Sequence, residues 1–280
     1  MNKITEFFGR DTKKLNGELP RILKGQRCPF TGNKCIKTRK SHPGVAIGTC
    51  TVSYQGEDVI ICPFRLIEKK QIFLDCIHLL THHEPGNLLY VIPEVQIPGG
   101  NVDYFLVSVR AGKVCDFVGI ELQTMDTTGT VWPERQRLLA KYGMKVPKRD
   151  VLNDRLFGMN WKMTAKTILV QLHHKAQTFE NLNRHLVLVI QNPFLEYMEN
   201  EFSFGHVKTV SIGDVVHLHA YALNEHDDGY CLSLFRRLST DVSGIEKCLG
   251  LQAQANVAFE DIASMLEAKL KEEYRLTIDG

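Results

Sequence analysis

The chain has 280 residues, of which 44% are hydrophobic and 24% are charged. This length and composition argue against a disordered chain and allow one large core or two modest ones. No run approaches 18 consecutive apolar residues, and the opening MNKITEFFGR lacks the basic-then-apolar pattern of a secretory signal. We therefore expect a cytoplasmic protein without a membrane-spanning helix.

The first 40 residues are strongly basic. They contain eleven Lys or Arg and three acidic residues, a formal charge of +8, whereas the whole chain carries +2. This excess favours a polyanionic partner; a solvated arm without a ligand is the alternative. Apolar residues at Ile4, Phe7 and Phe8, and again from Leu15 to Leu23, predict one or two short helices with basic side chains outside.

Four cysteines follow in a short stretch. They are Cys28, Cys35, Cys50 and Cys62, and the phrases Cys-Pro-Phe-Thr-Gly and Cys-Pro-Phe-Arg repeat one another. In a reducing compartment, cysteines favour metal ligation or burial over a disulfide framework. Four thiolates suit a tetrahedral structural site for zinc or a single iron. The spacing lacks a strict CxxC, so four buried reduced thiols remain the alternative.

A basic segment lies between the second and third of these cysteines. It reads Thr-Arg-Lys-Ser-His-Pro-Gly. A metal on the flanking cysteines would hold it as a rigid finger, and Arg39, Lys40 and His42 are then candidates to contact DNA.

Residues 68–80 have a helical apolar period, which predicts a helix with Cys76 in the core and not among metal ligands. The strand NLLYVI follows, then Pro93-Glu94 and a predicted loop at residues 95–100.

Residues 102–109 and 114–123 are two apolar runs joined by Arg-Ala-Gly-Lys, which predicts a β-hairpin. A turn centred between Ala111 and Gly112 places Asp103 opposite Ile120 and next to Glu121. Two neighbouring carboxylates repel one another unless they share a proton or a cation, and oxygen ligands suit Mg²⁺. Solvated residues at the strand ends are the alternative.

This arrangement resembles a known nuclease fold. Asp103, the hairpin and then Glu121-Leu122-Gln123 resemble the PD-(D/E)xK pattern, and the phrases PGGNVDYFL and DFVGIELQT resemble NotI-like restriction endonucleases. The resemblance covers roughly residues 25–140, including the four cysteines. In this branch a Gln replaces the usual Lys, so Gln123 departs from the superfamily pattern and agrees with the branch.

The resemblance implies an α/β fold with a restriction-endonuclease-like mixed sheet flanked by helices, and an iron in the four-cysteine metal-binding knuckle. It implies that Asp103, Glu121 and the Leu122 carbonyl hold a catalytic Mg²⁺, with Gln123 orienting the attacking water. Such cores often add an upstream acid; Glu94 is the nearest candidate, and Glu84 and Asp75 are its rivals.

The rest of the chain continues as strands and helices without a new motif. Asp116 is expected to be solvated near the turn, or at most to support the site residues without contacting the metal. The polar residues of the helix 133–143 are expected to form a solvated face, with phosphate contacts by Arg135 and Arg137 as the alternative. An apolar run at 167–172 fits a strand or a buried helix, and 185–191 predicts a buried strand. A helix after Asn192, strands near 215–223 and 230–240, and an amphipathic helix at 254–274 complete the prediction. His217 and His219 are expected to be structural.

We therefore predict a basic N-terminal region with the four-cysteine knuckle at residues 1–66 and a nuclease domain with a helical extension at 67–280. The predicted activity is that of a type II restriction endonuclease: Mg²⁺-dependent cleavage of double-stranded DNA at a palindromic, GC-rich site, leaving 5′-phosphates. A homodimer is expected because two strands are cut. Restriction biology further implies a cognate methyltransferase. The alternatives are a low-specificity nuclease in repair or phage defence and a non-enzymatic DNA-binding protein built on the four-cysteine unit.

Overall fold

The computed structural model describes residues 2–15, 17–250 and 259–271. Its N-terminal elements are β1 (Ile4–Phe7), β2 (Arg10–Asp11), α1 (Leu19–Gly25), β3 (Thr38–Arg39), β4 (His42–Ala46), β5 (Thr49–Tyr54) and β6 (Glu57–Ile60). β1, β2, β5 and β6 form an antiparallel sheet, whereas β3 and β4 form a separate ribbon. The prediction of short helices is confirmed for α1 and wrong for β1, whose β-branched and aromatic residues pair with β5 instead.

Three short helices replace the single helix predicted at 68–80. They are the 3₁₀ helices Pro63–Lys70 and Ile77–Leu79, with α2 (Gln71–Leu74) between them. Lys69 and Lys70 have φ values of 50° and 59°, which break the helical path. The expected burial is confirmed for Cys76, which lies in the core.

The remaining elements follow in chain order. They are β7 (Leu88–Ile97), β8 (Gly100–Arg110), β9 (Lys113–Leu122), β10 (Thr127–Thr128), α3 (Trp132–Lys141), α4 (Lys148–Val151), β11 (Gly158–Met159), α5 (Trp161–Asn181), β12 (His185–Gln191), α6 (Asn192–Glu201), β13 (Lys208–Thr209), β14 (Val216–His226), β15 (Gly229–Thr240), α7 (Val242–Cys248) and α8 (Phe259–Glu267).

The centre of the molecule is a seven-stranded mixed sheet with the order β13-β15-β14-β12-β9-β8-β7. β12 runs parallel to β9 and β14, and the other neighbours are antiparallel. Every residue of β12 is buried, as the run at 185–191 predicts. The mixed α/β architecture with flanking helices is therefore confirmed, and so are α6, β14 and β15.

β7 is the edge strand of this sheet, and it is longer than predicted. It continues through Pro93 and Glu94 to Ile97, so only Pro98 and Gly99 are left as a turn before β8. The predicted loop at 95–100 was wrong because this segment pairs with the start of β8. Large apolar side chains at the other end, Leu88–Ile92, are exposed on both faces of the strand.

α5 lies against one face of the sheet, and the ambiguous run at 167–172 is part of it. Leu172, Ala176 and Phe179 are buried on its inner side. Gly119 of β9 lets this helix approach closely, since a Cβ there would lie 2.3 Å from the Phe179 ring. The sheet thus presents its β8–β9 hairpin directly to α5.

The polar face of α3 is buried, which contradicts the predicted solvated face. Glu134, Arg135 and Gln136 are all buried. Arg135 donates to the Ile47 carbonyl at 3.0 Å and lies 4.8 Å from the Trp132 ring centroid. Burial lowers the pKa of Arg135 to about 10. These polar side chains tie the N-terminal sheet to the rest of the chain and do not face solvent.

Hydrophobic contacts run without a break from the N-terminal sheet into the body of the protein. One core cluster contains Phe7 and Val52 together with Leu138 and Leu188. The boundary at residue 66 stays a prediction. Of the predicted helix at 254–274, α8 is present, and residues 254–258 and 272–274 lie outside the described residues.

Candidate functional site

Two carboxylates meet in a cleft of about 420 Å³ at the open end of the β8–β9 hairpin. Asp103 comes from β8 and Glu121 from the end of β9. The backbone N–H of Leu122 donates to Asp103 Oδ2 at 2.8 Å, which fixes one carboxylate beside the other strand. The cleft therefore has the paired acids that the sequence predicts.

The register of the hairpin differs from the prediction by one residue. Tyr104 faces Ile120, and the pairing shifts between Ser108 and Val109. A bulge opposite this shift adds one residue to β9, so Asp103 is not opposite Ile120. When the observed register is continued by one residue, Asp103 faces Glu121 directly across the two strands. The two acids are therefore closer to one another than the predicted register places them.

The structure separates the three candidates for an upstream acid. Glu94 is exposed, lies across from Asp103 on β7 and is one of the charges that raise the pKa of Asp103. Glu84 forms an ion pair with Arg110 at the turn end of the hairpin. Asp75 accepts a hydrogen bond from Tyr221 at 2.8 Å. Of the three, only Glu94 is near the paired acids, and its catalytic role stays a prediction.

Asp116 is buried, which corrects the expectation of a solvated residue. It pairs with Arg184 at 2.9 Å and accepts a hydrogen bond from the backbone N–H of His82 at 2.8 Å. Its partners give it a structural role on the hairpin.

Sequence reasoning missed Lys175. This side chain projects from α5 into the cleft, where its Nζ lies 2.7 Å from Glu121 Oε1. Lys175 is only 5% exposed and Glu121 only 4%. Buried lysines are rare without such a partner. A signal existed, because Lys175 lies beside Leu172, Ala176 and Phe179 on the buried stripe of the helix, but it became visible only once 167–172 was known to be helical.

The electrostatics of the cleft favour a bound cation. Burial raises the pKa of Glu121 to about 7, helped by the charge of Asp103, although the hydrogen bond from Lys175 acts against it. Burial also raises the pKa of Asp103, despite the hydrogen bond from Leu122. A divalent ion between the two acids would favour the ionised form of both and offset their mutual repulsion.

Gln123 lines the same cleft, but its amide is already engaged. Its Nε2 donates to the Thr124 carbonyl at 2.6 Å, and its backbone N–H donates to the Val189 carbonyl at 3.0 Å. The side-chain amide is thus held by the backbone of Thr124. The predicted role in orienting water stays a prediction.

The four N-terminal cysteines line one large pocket of about 830 Å³. The hydrogen bond between Cys50 and Cys62 lowers the pKa of Cys62, and Lys37 adds to the effect. Burial raises the pKa of Cys35, and the neighbouring Cys62 and Cys28 add to it. The four thiols thus line the same pocket, and a metal-binding knuckle built on them stays a prediction. In the part of the chain that the structure describes, no three His, Cys, Asp or Glu side chains form a ready metal site.

A buried ion pair that the sequence did not reveal supports this cysteine pocket. Arg65 follows Cys62, and its Nε lies 2.8 Å from Glu6 Oε2. The same guanidinium lies 4.9 Å from the ring centroid of Phe30 in the other Cys-Pro-Phe repeat. The two repeats are therefore packed together through one arginine.

The predicted basic finger is the β3–β4 ribbon. His42 stacks on Trp132 with ring centroids 5.2 Å apart, and the Arg39 guanidinium lies 5.2 Å from the centroid of the same ring. Lys40 is exposed at the tip. Arg39 and His42 anchor the finger on α3, and DNA contact by these three residues stays a prediction.

A family model described as restriction endonuclease NotI matches residues 21–230, three quarters of the chain. The chain belongs to the NotI restriction endonuclease family. This match confirms the predicted resemblance to NotI-like enzymes. Membership of the family makes the chain a DNA-cleaving hydrolase of a restriction system. The NotI match runs well past residue 140 and takes in α5 and β12, so it covers Lys175 as well as the paired acids. A search of curated proteins returns no match.

Assignment of this NotI family member to the PD-(D/E)xK superfamily stays a prediction from Asp103 and the Glu121-Leu122-Gln123 motif. Among the residues that the structure describes, no helix is both long and apolar enough to cross a membrane.

Proposed function

We propose that this restriction endonuclease cleaves double-stranded DNA at a palindromic, GC-rich site by Mg²⁺-dependent hydrolysis. The observation that carries the proposal is the pair of acids in one cleft, half-buried Asp103 and buried Glu121. Basic residues of the N-terminal region supply the attraction to the phosphate backbone. The alternative, a low-specificity nuclease, would carry out the same hydrolysis without requiring a specific DNA sequence.

The donors of the cleft fit Mg²⁺, because they are oxygens on two strands that already lie side by side. Asp103, Glu121 and the Leu122 carbonyl would hold the ion. When bound, the metal neutralises charge on the scissile phosphate and lowers the pKa of the attacking water. The hydrogen bond from Leu122 N–H to Asp103 keeps that carboxylate oriented. Gln123, which lines the cleft, would orient water, and Glu94 would assist from the neighbouring strand β7. The products carry a 5′-phosphate and a 3′-hydroxyl.

We also propose a structural metal, iron or alternatively zinc, on Cys28, Cys35, Cys50 and Cys62. The four thiols that line one pocket support it, because thiolates are ligands for both metals. Four thiolates leave no open position for substrate, so this site would hold the fold and aim the finger with Arg39, Lys40 and His42 at DNA.

Two strands must be cut, so the active species is proposed to be a homodimer with one cleft for each strand. A host that makes the enzyme needs a cognate methyltransferase to protect its own sites. The homodimer and the methyltransferase are proposed from the reaction itself and not from any single residue.

The proposed reaction is tested by digesting unmethylated GC-rich phage DNA with and without Mg²⁺ and sequencing the ends. We expect discrete fragments only with Mg²⁺, sharing a palindrome at their ends. Asp103→Asn and Glu121→Gln should each bind DNA and fail to cut it. A smear would indicate the low-specificity nuclease. Cutting by either variant at the wild-type rate would remove these acids from the mechanism.

The structural metal is tested separately by elemental analysis of purified protein. We expect one iron or zinc per chain, and loss of most of it in Cys35→Ser. Cys115→Ser is the matched control, because Cys115 is exposed on β9 away from the pocket. Equal metal content in both variants would show that the four thiols are merely buried.

A further inference from the structure

Lys175 is the cation that lies closest to the paired acids. Among the described residues that line the cleft, it is the one with a positive charge. Its stem is enclosed and its ammonium touches Glu121. The buried ammonium interacts with both acids of the cleft, Glu121 and Asp103, and a buried ion pair is by itself a weak source of stability. Its position therefore calls for a functional reason.

Several contacts fix the position of this ammonium. Gly99 has a φ of 95°, and a Cβ at that residue would lie 2.5 Å from the His174 carbonyl oxygen. A Cβ at Gly100 would lie 3.3 Å from Lys175 Cε. The β7–β8 turn thus packs directly on the backbone of α5 beside the lysine. On the helix, Ile168, Gln171 and Lys175 recur at the spacing that places them over the same cleft.

The residue at the third motif position does not supply a charge. The Gln123 amide is neutral, and it is occupied by the Thr124 carbonyl at 2.6 Å. Negative charge develops on the phosphate during hydrolysis, and a buried cation held beside that phosphate stabilises it strongly. The cleft contains such a cation on α5.

We infer that Lys175 is a catalytic residue whose ammonium contacts the scissile phosphate and its attacking water, the role that the uncharged Gln123 leaves open. This rests on the proposed nuclease function. The water oxygen bonds to phosphorus while the bond from phosphorus to the 3′-oxygen breaks. The water gives a proton to solvent and the 3′-oxygen takes one from solvent, so Lys175 keeps its charge throughout.

The test compares single-turnover cleavage and DNA affinity in Lys175→Met, which removes the charge and keeps most of the volume. We expect the cleavage rate to fall by about 10²–10³, the cost of losing one such electrostatic contact, with affinity measured without Mg²⁺ changed less than about threefold. Lys166→Met is the matched control, since Lys166 is on the exposed side of α5. The control should cut at the wild-type rate.

A swap distinguishes a reacting cation from a mere partner of Glu121. In Lys175→Met/Gln123→Lys the ammonium moves to the third motif position, and we expect cleavage to recover by at least tenfold over Lys175→Met. Lys175→Arg should retain more activity than Lys175→Met.

Cutting by Lys175→Met within about threefold of wild type would overturn the inference and leave the proposed function intact. If Lys175→Met does not fold, the swap decides: a folded swap variant that cuts supports the inference, and a folded one that does not cut overturns it. Failure of the wild type to cut would overturn the proposed function, and this inference with it.

Discussion

Single side chains decide both the chemistry and the stability of this molecule. Arg65 is fully buried, with Glu6 on one side and Glu68, at 2.9 Å, on the other. Burial raises the pKa of Glu6 in spite of Arg65. A buried charge left without its partner is costly, whereas removal of both charges is much less so.

We therefore predict that Glu6→Ala lowers the free energy of unfolding by about 3 kcal/mol, because Arg65 loses the carboxylate that accepts from its Nε and keeps Glu68 and the Tyr230 carbonyl. The double variant Glu6→Ala/Arg65→Met should lose less than the sum of the two single variants. Urea unfolding measures the cycle. Arg10→Met removes the exposed pair with Glu18 and should cost less than about 0.5 kcal/mol. Additive losses in the cycle would contradict the coupling.

The paired acids were predictable because their signal is local. Asp103 and Glu121 flank one short hairpin, whose alternation and turn can be read directly from the sequence. Lys175 comes 54 residues after Glu121 and reaches the cleft only through the packing of α5 on the sheet. The β-bulge that places the two acids opposite one another could not be predicted either, because no residue near Ser108 is of a type that indicates a bulge.

At the scale of elements, the β7–β8 turn holds α5 in place. Gly99 and Gly86 both have φ near 90°, so a side chain strains the backbone at either position. They differ in their surroundings, since a Cβ at Gly86 meets nothing within 4 Å whereas one at Gly99 meets the His174 backbone.

Gly99→Ala should therefore lower both stability and cleavage, while Gly86→Ala should lower stability alone. The common strain is of the order of 1 kcal/mol, and the extra clash moves Lys175 away from Glu121. We expect at least a tenfold loss of cleavage rate in Gly99→Ala at a temperature where both variants are folded. Equal rates in the two variants would show that the contact between the turn and α5 does not matter for the site.

Elements with a strong period or a β-branched run were predicted correctly, as β9, β12 and α6 show. The errors fall where neighbours override the local pattern. The local pattern predicts a helix at β1, because the partner strand β5 is 45 residues away. It predicts a solvated polar face on α3, because the N-terminal sheet that covers this face cannot be inferred from α3 itself.

At the scale of the whole molecule, buried histidines make stability depend on pH. Burial lowers the pKa of His217 to about 4 and that of His219 to about 3. The unfolded chain binds protons near pH 6.5, so it holds more protons than the folded chain below that pH. The stability these residues contribute is complete above about pH 6.5 and is lost as the pH falls toward 4.

We predict that His219→Gln makes unfolding less sensitive to acid. Between about pH 6 and 4.5 the wild-type free energy of unfolding should fall more steeply, by up to about 1.4 kcal/mol per pH unit for this one residue. Urea unfolding at several pH values compares the two slopes directly and leaves the shared contribution of the acids unchanged. Equal slopes in the two proteins would mean that His219 binds its proton as readily in the folded chain as in the unfolded chain.

The exposed end of β7 has a consequence for the concentrated protein. Leu88, Leu89, Tyr90, Val91 and Ile92 are 39% to 62% exposed, and none is charged. An uncharged apolar strand with a free backbone edge is a template for adding further strands, and many proteins guard such edges with lysine or proline. Here the first proline is Pro93, after the apolar run has ended. Aggregation of this enzyme should therefore begin at β7, and solubility should respond more to one lysine placed at Tyr90 than to several placed elsewhere on the surface.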